Sequence, residues 1–155
     1  MNTMLGAAWP ALPPPELSHG EIALRFDRVV PGEPARQLVP YFHFRITTAQ
    51  HPDVGHINFR LGDTDHIRLY AGHIGFAIAE NFRGQHYARQ ACHAIAPFVR
   101  SVYPAVIITC DPDNTASRRT IESLGAQWID EVAVPPHDPH YQRGSRFKRR
   151  YHWTP

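Results

Sequence analysis

The chain has 155 residues, 43% of them hydrophobic, and a formal net charge of +2 at pH 7. This length supports one hydrophobic core but not two independent ones, so the sequence predicts a single compact domain. The apolar stretches are much shorter than the roughly 20 residues that span a bilayer, and the first residues lack the charged and apolar regions of a secretory signal. We therefore expect a soluble, cytoplasmic protein without a membrane partner.

The cysteine and histidine content does not indicate a bound metal. The two cysteines, Cys92 and Cys110, are spaced neither as a zinc-binding pair nor as a redox motif. Eleven histidines are present, but the pair with ligand-like spacing, His137 and His140, lies in a proline-rich loop without a third ligand nearby. We therefore predict no metal site and a reducing compartment.

Residues 1–18 form a segment without hydrophobic periodicity, and its prolines are Pro10, Pro13, Pro14 and Pro15. This composition favours an extended or disordered arm over a packed element. The folded domain is therefore predicted to span residues 19–155.

Four segments after this arm have the apolar pattern of β-strands. They are the segment around Ile22, Leu24 and Phe26, the segment around Phe42, Phe44 and Ile46, and the runs at 54–61 and 67–79. The turns between them are short, so these strands are predicted to form an antiparallel meander.

A long amphipathic helix is predicted after Gly84. Its apolar residues, three and four positions apart, are Tyr87, Ala88, Ala91, Cys92, Ile95, Phe98 and Val99. Pro97 is expected to kink or unwind the last turn. The continuous apolar run at 105–110 is typical of a strand covered on both faces. The order strand, helix, strand predicts a βαβ unit with a parallel strand pair.

A second, shorter helix is predicted over 116–124, with Asn114 as its N-cap and Gly125 as its stop. Strands are expected at 127–134 and 146–153. In the last strand, basic and other residues alternate, with Arg146, Lys148 and Arg150 on one side and Phe147, Arg149 and Tyr151 on the other. This pattern predicts an exposed basic face that binds an acidic acceptor or nucleic acid, or more simply a solvated edge strand protected by charge.

The turn at 80–86 leads into the long helix and is a candidate anion site. The first backbone N–H groups of a helix lack internal partners and lie at the positive end of its dipole, where phosphate binds. Gly84 allows backbone conformations that other residues avoid, and Ala88 keeps the first turn narrow.

Together, the segments 72–80, 81–88, 107–110 and 114–125 resemble the GNAT N-acetyltransferase superfamily in order, spacing and content. They resemble in particular the branch that includes ribosomal-protein N-terminal acetyltransferases. The resemblance implies a mixed α/β (α+β) fold with a mostly antiparallel, six- to seven-stranded sheet, a central βαβ unit and a splayed pair of parallel strands. The first two strands are close in sequence, so the N-terminal helices of the family are expected to be reduced or absent.

The resemblance also implies that acetyl-coenzyme A is the co-substrate. Its pyrophosphate would lie on the backbone amides of 83–88, and its pantetheine arm would pass between the strand ends at 76–79 and 107–110. The residues implied in cofactor binding are Phe76, Ala77, Ile78, Arg83, Gly84, Gln85, His86, Tyr87, Ala88, Asn114 and Ser117.

Three features depart from the family pattern. His86 stands where the phosphate loop usually has glycine, and Ile121 stands where many members have a tyrosine that protonates the leaving thiolate. A thiolate with a pKa near ~8.5 needs little help to leave, so this loss need not abolish catalysis. The missing helices leave the acceptor pocket without a wall, which a second subunit or the loop at 134–145 would supply.

Three residues are candidates for the general base that takes a proton from the acceptor amine. His73 stands where some family members have a catalytic glutamate, and its imidazole titrates near neutral pH; a histidine that merely fills a strand face is an equal alternative. His56 would neighbour His73 across two strands if the register allows. Glu80 lies at the end of the strand that contains His73. Cys110 ends the strand at 105–110, at the edge where the reaction is expected, and is a candidate for acylation, although a free cysteine is more often part of the core.

The sequence thus predicts an enzyme that transfers an acetyl group from acetyl-coenzyme A to a primary amine of a small molecule or a protein N-terminus. A homodimer is one possible assembly, and a nucleic-acid partner is not expected. Two alternatives remain open. One is a non-catalytic coenzyme A-binding module, favoured by His86 and Ile121, and the other is a nucleic-acid- or ribosome-binding domain that uses the basic C-terminus.

Overall fold

Eight strands form a single sheet in the computed structural model, which describes residues 13–14 and 16–155. The strands are β1 (Leu17–His19), β2 (Ile22–Val30), β3 (Tyr41–Thr48), β4 (Gly55–Arg60), β5 (Ile74–Ile78), β6 (Val106–Cys110), β7 (Gln127–Ala133) and β8 (Phe147–Trp153). They follow the order β1-β2-β3-β4-β5-β6-β8-β7 in the sheet. Strands β5 and β6 run parallel, and the other neighbouring strands run antiparallel.

The described residues form three α-helices, which are α1 (Tyr87–Arg100), α2 (Thr115–Ser123) and α3 (Pro139–Gln142). Shorter helical turns lie at Pro34–Arg36, His66–Ala71 and Glu80–Phe82. The mostly antiparallel sheet with its β5-α1-β6 unit confirms the predicted fold class. The sheet is larger than predicted because β1 adds to its edge by pairing with β2.

Strand β1 begins inside the segment that the sequence assigns to the N-terminal arm. Leu17 pairs with Leu24 and is 4% exposed. Burial of a leucine stabilises a fold by about 1.5–3 kcal/mol, which explains why this residue joins the sheet. The described domain therefore starts before residue 19, and the prediction for residues 1–12 and 15 lies outside the described residues.

The core lies between the sheet and α1. The ring of Phe98 on α1 makes edge contacts with the rings of Phe42 and Phe59, at centroid distances of 5.0 and 5.5 Å, and all three rings are almost fully buried. Such pairs contribute about 0.5–1.5 kcal/mol beyond the burial of their area. Helix α1 continues past Pro97 to Arg100, so its last turn is not unwound as the sequence suggests.

The strand predicted over 67–79 is divided at Gly72. Before the glycine, His66–Ala71 forms a π-helical turn, and only the part after it forms β5. Gly72 has a φ of 72°, which favours glycine, and an added Cβ would lie 2.9 Å from the backbone oxygen of Ile107. A short apolar run cannot be assigned to a strand or a helix from periodicity alone, which is why the sequence missed this boundary.

The connection between β2 and β3 contains one short helical turn, Pro34–Arg36. The predicted reduction of the N-terminal helices is thereby confirmed within the described residues. As a consequence, no helix from this connection packs on the sheet face opposite α1. Neighbouring strands present polar side chains on that face, among them His43 and His56, whose ring centroids are 5.3 Å apart.

The basic side chains of β8 are paired rather than exposed along one face. Lys148 is 7% exposed and its Nζ lies 2.7 Å from Asp111 Oδ1. Arg150 donates two hydrogen bonds to the carboxylate of Asp130. The prediction of an exposed basic edge strand is wrong, because β7 lies outside β8 and forms the edge.

Candidate functional site

Strands β5 and β6 separate towards their carboxyl ends. Ile74 pairs with Ile108, and the backbone N–H of His73 donates to the Ile107 carbonyl oxygen at 2.7 Å. Among the described residues, no β5–β6 pairing follows Ile74. The strands are thus joined at their start and open at their end, as the splayed pair requires, and the open end leaves peptide groups available to a ligand.

The start of α1 offers a row of unpaired backbone donors. In the part of the chain that the structure describes, the N–H groups of 84–89 have no hydrogen-bond acceptor, and the first helical bond runs from Gln90 to the His86 carbonyl oxygen. These groups lie at the positive end of the helix dipole. The segment is therefore arranged to bind an anion such as phosphate.

A groove of about 620 Å³ runs along this helix start. Its lining residues are Phe76, Ala77, Ile78, Phe82, Arg83, Gly84, His86, Tyr87, Ala88, Arg89, Asn114, Ala116, Ser117, Arg119, Thr120 and Ser123. The structure brings the predicted cofactor residues together here with the exception of Gln85. Strand β6 does not line the groove, because Ile108 and Cys110 point into the core.

The sequence analysis did not assign five of the lining residues to the cofactor site, namely Phe82, Arg89, Ala116, Thr120 and Ser123. Arg119 on α2, for which the sequence leaves a phosphate contact and a solvent-facing side chain as alternatives, also lines the groove. The available signal was spacing, because residues three and four positions apart share one face of a helix. Arg89 and Arg119 are exposed and form no ion pair with a described residue, so they are free to meet an anionic ligand.

The space beside Gly84 is open. Its φ is 86°, and an added Cβ would meet no protein atom within 4 Å. The backbone conformation therefore favours glycine at this position although the protein packing does not demand it. The side of the groove next to the free amides is left clear for a ligand.

His86 adopts the left-handed backbone conformation that glycine usually holds, with φ 62° and ψ 25°. This conformation costs a non-glycine residue about 1–2 kcal/mol. The imidazole is exposed and makes no capping hydrogen bond, so it does not block the amides of α1. Local strain at His86 therefore accommodates the departure from the family pattern without closing the anion site.

Asn114 and Ser117 are held together at the start of α2. The backbone N–H of Ser117 donates to Asn114 Oδ1 at 3.1 Å, which is the N-cap that the sequence predicts. Both residues line the groove. Because the cap uses the side-chain oxygen of Asn114, its amide nitrogen remains as a donor towards the groove.

His73 bridges two segments of backbone. Its Nδ1 accepts a hydrogen bond from the Ile107 N–H at 3.0 Å, and its Nε2 lies 3.0 Å from the Gly62 carbonyl oxygen. Since Nδ1 accepts, Nε2 carries the proton that Gly62 accepts. Burial lowers the pKa of His73. With both nitrogens occupied, this geometry favours the alternative in which the histidine fills a strand face.

His56 has a freer environment. It pairs across β4 and β5 with Ala77, which lines the groove, so the register does not make His56 and His73 cross-strand neighbours. The half-buried imidazole has no hydrogen bond to a described residue. Burial, followed by the nearby His43 and Arg45, lowers the pKa of His56. The ring is therefore neutral at pH 7 and able to accept a proton.

The remaining candidates differ in position. Glu80 is exposed in the turn after β5 and does not line the groove. Cys110 is 5% exposed, and burial raises the pKa of its thiol to about 11, so the thiol is protonated at neutral pH. Ile121 is fully buried in the core and supplies no acid.

Buried polar groups hold the loop at 134–145 in place. His66 Nδ1 lies 2.6 Å from Asp138 Oδ2, and Asp138 is 3% exposed. The hydroxyl of Ser145 donates to the Asp111 carboxylate at 2.8 Å. Because Asp111 directly follows β6, these contacts fix the loop beside the carboxyl end of that strand.

Neither a metal cluster nor a membrane-spanning helix is found in the described part of the chain. No group of three or more histidine, cysteine, aspartate and glutamate side chains is arranged there to hold a metal ion. None of its helices combines the length and the apolar character that crossing a bilayer requires.

Comparison with solved structures shows the same fold in several acetyltransferases. A GNAT-family acetyltransferase from Bacillus anthracis is 24% identical, with a TM-score of 0.57 over 72% of this chain and 65% of that one. A probable GNAT-family acetyltransferase from Chromobacterium violaceum is 14% identical, with a TM-score of 0.62 over 96% and 91%. The ribosomal alpha-N-protein acetyltransferase RimL in complex with coenzyme A is 18% identical, with a TM-score of 0.56 over 74% and 62%. The chain thus spans somewhat less than two thirds of the Bacillus and RimL structures.

The sequence itself was compared with protein families and with curated proteins. No curated protein is significantly similar to it. The model of the acetyltransferase (GNAT) domain matches residues 6–127, which include β5, α1, β6 and α2. The chain therefore belongs to the GNAT acetyltransferase family.

Proposed function

We propose that the protein transfers an acetyl group from acetyl-coenzyme A to a primary amine. The observation that carries this proposal is the set of unpaired N–H groups at 84–89, which face a groove beside the open end of β5 and β6. A diphosphate matches such donors. The RimL structure with the same fold is a complex with coenzyme A, which supports the choice of ligand.

Groove residues would hold the co-substrate at three points. The amides of 84–89 would bind its pyrophosphate, with Arg89 and Arg119 available for further phosphate oxygens. The open edge of β5 at Phe76 and Ile78 would pair with the amides of its pantetheine arm. The Asn114 side-chain amide would donate to a carbonyl oxygen of the same arm.

His56 is the best-placed general base in this proposal. The acceptor nitrogen attacks the thioester carbonyl carbon, the C–S bond breaks, and the nitrogen loses a proton to the free imidazole directly or through one water. Because the pKa of His56 is lowered, the ring is unprotonated when the amine arrives. Glu80 and His73 remain weaker candidates, Glu80 because its side chain is exposed to solvent in the turn after β5 and His73 because backbone groups occupy its ring.

The leaving thiolate has no acid side chain at position 121, since Ile121 is buried in the core. A free thiol has a pKa of about 8.5, so the thiolate is a good leaving group and water can protonate it. The same absence favours the second candidate function, a non-catalytic coenzyme A-binding module. A nucleic-acid-binding function has less support, because Lys148 and Arg150 of β8 are paired with carboxylates.

The test combines calorimetry with a thiol-release assay. Acetyl-coenzyme A is expected to bind, and coenzyme A release is expected to depend on an added amine. Binding without release for a broad amine panel would support the non-catalytic module. No binding heat would remove both candidates.

We also propose a cytoplasmic location, because the two free cysteines are consistent with a reducing compartment. It also includes a homodimer in which the second subunit completes the acceptor wall. The anchored loop at 134–145 is the competing source of that wall. Light scattering at several protein concentrations distinguishes them, because a strictly monomeric active enzyme leaves the loop as the source.

A further inference from the structure

We infer that the acceptor is a small amine that also carries an anionic group, a carboxylate or a phosphate, which Arg25 and Arg45 bind while the amine lies at His56. The inference rests on the proposed function, since it names the substrate class of the same site. It is drawn from the polar face of the sheet opposite α1, since the connection between β2 and β3 contains only the short helical turn Pro34–Arg36 among the described residues.

Four residues form a straight row on that face, one on each of four neighbouring strands. Arg25 on β2 pairs with Arg45 on β3, Arg45 pairs with His56 on β4, and His56 pairs with Ala77 on β5. Neighbouring strands are about 4.8 Å apart, so the row is roughly 14 Å long, which is the size of a small molecule. The row starts in the groove, because Ala77 is one of its lining residues.

Two cations lie directly opposite each other in this row. Like charges at paired positions of antiparallel strands destabilise a sheet. Asp53 neutralises one of them, since its carboxylate lies 2.6 Å from Arg45 Nη2. Arg25 has no hydrogen bond or ion pair with a described residue and is exposed. The pair therefore keeps an unbalanced positive charge one to two strands away from His56.

Arg45 also has an unused donor. Its Nη1 lies 3.3 Å from His43 Nε2, and its Nη2 donates to Asp53, but its buried Nε has no partner among the described residues. A buried donor without a partner costs about 1–3 kcal/mol. The protein thus does not saturate the Arg45 side chain, and an anionic group of the acceptor would balance the positive charge that Arg45 shares with Arg25.

The row lies at the open end of the polar face. Arg25 and Ala77 are exposed, and His56 is half-buried. At the other end of β4, Arg60 is half-buried and donates to the carbonyl oxygens of Ala71 and Gly72, so its guanidinium is already engaged by the chain. A ligand that lies along the row reaches His56 and both arginines together.

The experiment compares pairs of amines in which one member carries an anionic group and the other is neutral. Coenzyme A release is measured with 5-aminopentanoate against 5-aminopentanamide, and with 3-aminopropyl phosphate against 3-aminopropanol. We expect kcat/KM to be at least about tenfold higher for the charged member, since a charge-assisted hydrogen bond contributes about 1.5–3 kcal/mol. The carboxylate and phosphate arms show which anion is preferred.

Two variants and a control locate the effect. Arg25→Gln and Arg45→Gln are expected to raise KM about tenfold for the charged acceptors and less than about twofold for the neutral ones. Arg36→Gln makes the same charge change in an exposed turn away from the row, and KM for the charged and the neutral acceptors is expected to stay unchanged. Arg25 is exposed, so its variant tests the inference even if the Arg45 variant is unstable.

The outcomes separate this inference from the proposed function. If the wild type has equal kcat/KM for neutral and charged amines, or if the Arg25 variant loses kcat/KM equally for both, the inferred anionic acceptor is wrong. Acetyl transfer itself would still stand. Turnover of no amine, with normal heat of acetyl-coenzyme A binding, removes acetyl transfer and the acceptor class with it.

Discussion

The imidazole of His73 accepts a hydrogen bond from the backbone N–H of Ile107 at 3.0 Å, at the point where β5 and β6 are joined. The parallel pair has little other pairing, so this side-chain bond helps to hold the two strands together before they diverge. The position at which some family members have a catalytic glutamate thus serves the sheet in this chain.

The first prediction follows from this bond. His73→Ala is expected to lower the free energy of unfolding by about 2–3 kcal/mol, because it leaves the N–H of Ile107 and the carbonyl of Gly62 without partners. Urea denaturation measures the loss, with the exposed His152→Ala as control. If His73 were instead the base, the folded variant would lose turnover far more than stability.

The second prediction concerns His56. His56→Gln is expected to reduce kcat by about 10²–10⁴-fold, the usual contribution of a general base. Binding of acetyl-coenzyme A by calorimetry should be unchanged, because the side chain does not line the groove.

The pH profile gives an independent check on His56. The pKa of His56 is lowered, so the ring stays neutral below pH 6.5 and the acidic limb of kcat/KM should have its midpoint below that value. As the pH falls through this pKa, the ring gains a proton and activity is lost. The residual activity of the Gln variant should lack this limb; a limb that persists would assign it to another group.

The third prediction compares two glycines with similar backbone conformations. Gly84 and Gly125 have φ values of 86° and 78°, and an added Cβ at either meets no protein atom within 4 Å. Alanine at either position is therefore expected to cost about 1–2 kcal/mol of stability through strain. Only Gly84→Ala should also weaken binding of acetyl-coenzyme A, because only Gly84 lies in the groove. Equal affinities of the two variants would contradict the anion site.

The fourth prediction uses neighbouring arginines on α2. Arg119 lines the groove, whereas Arg118 donates to Glu122 at 3.2 Å on another face of the helix. Arg119→Gln is expected to weaken acetyl-coenzyme A binding about tenfold and to reduce its dependence on salt, as loss of one phosphate contact would. Arg118→Gln should bind like the wild type. Calorimetry at two salt concentrations measures both.

The sequence predicted those parts of the fold and site that local chemistry determines. The amphipathic spacing of α1, the cap at Asn114 and the glycine at 84 each follow from residues close in the chain, and they place the groove. The division at Gly72 was missed because Ile67 and Ala71 suit a buried helical turn as well as a strand.

Features that depend on strand register could not be predicted from the sequence. The surroundings of His56 and His73 differ in which residue each meets across the sheet: His56 pairs with Ala77, and His73 accepts a hydrogen bond from the backbone of Ile107. The burial of Lys148 likewise depends on the position of β8 between β6 and β7 in the sheet. A shift of one residue in register exchanges the two faces of a strand, so periodicity alone cannot decide such contacts.

The last prediction concerns stability against acid. His140 is partly buried in the loop at 134–145, and burial, followed by the nearby Lys148 and Arg143, lowers its pKa to about 3. An unfolded histidine titrates at 6.5, so between pH 6.5 and 3 the unfolded chain binds a proton that the folded chain does not. The contribution of the neutral, partly buried His140 to the free energy of unfolding is fully present above pH 6.5 and is lost as the pH falls towards 3.

His140→Asn should remove this contribution. From pH 7 to pH 5 the wild type is expected to lose about 1–2 kcal/mol more unfolding free energy than the variant, after allowance for partial exposure. Urea denaturation at the two pH values measures the difference, and the exposed His152→Asn serves as control. Because His140 follows Asp138, which binds His66, the acid-induced loss should begin in this loop. Parallel pH profiles of wild type and His140→Asn would show that His140 is not the group that responds.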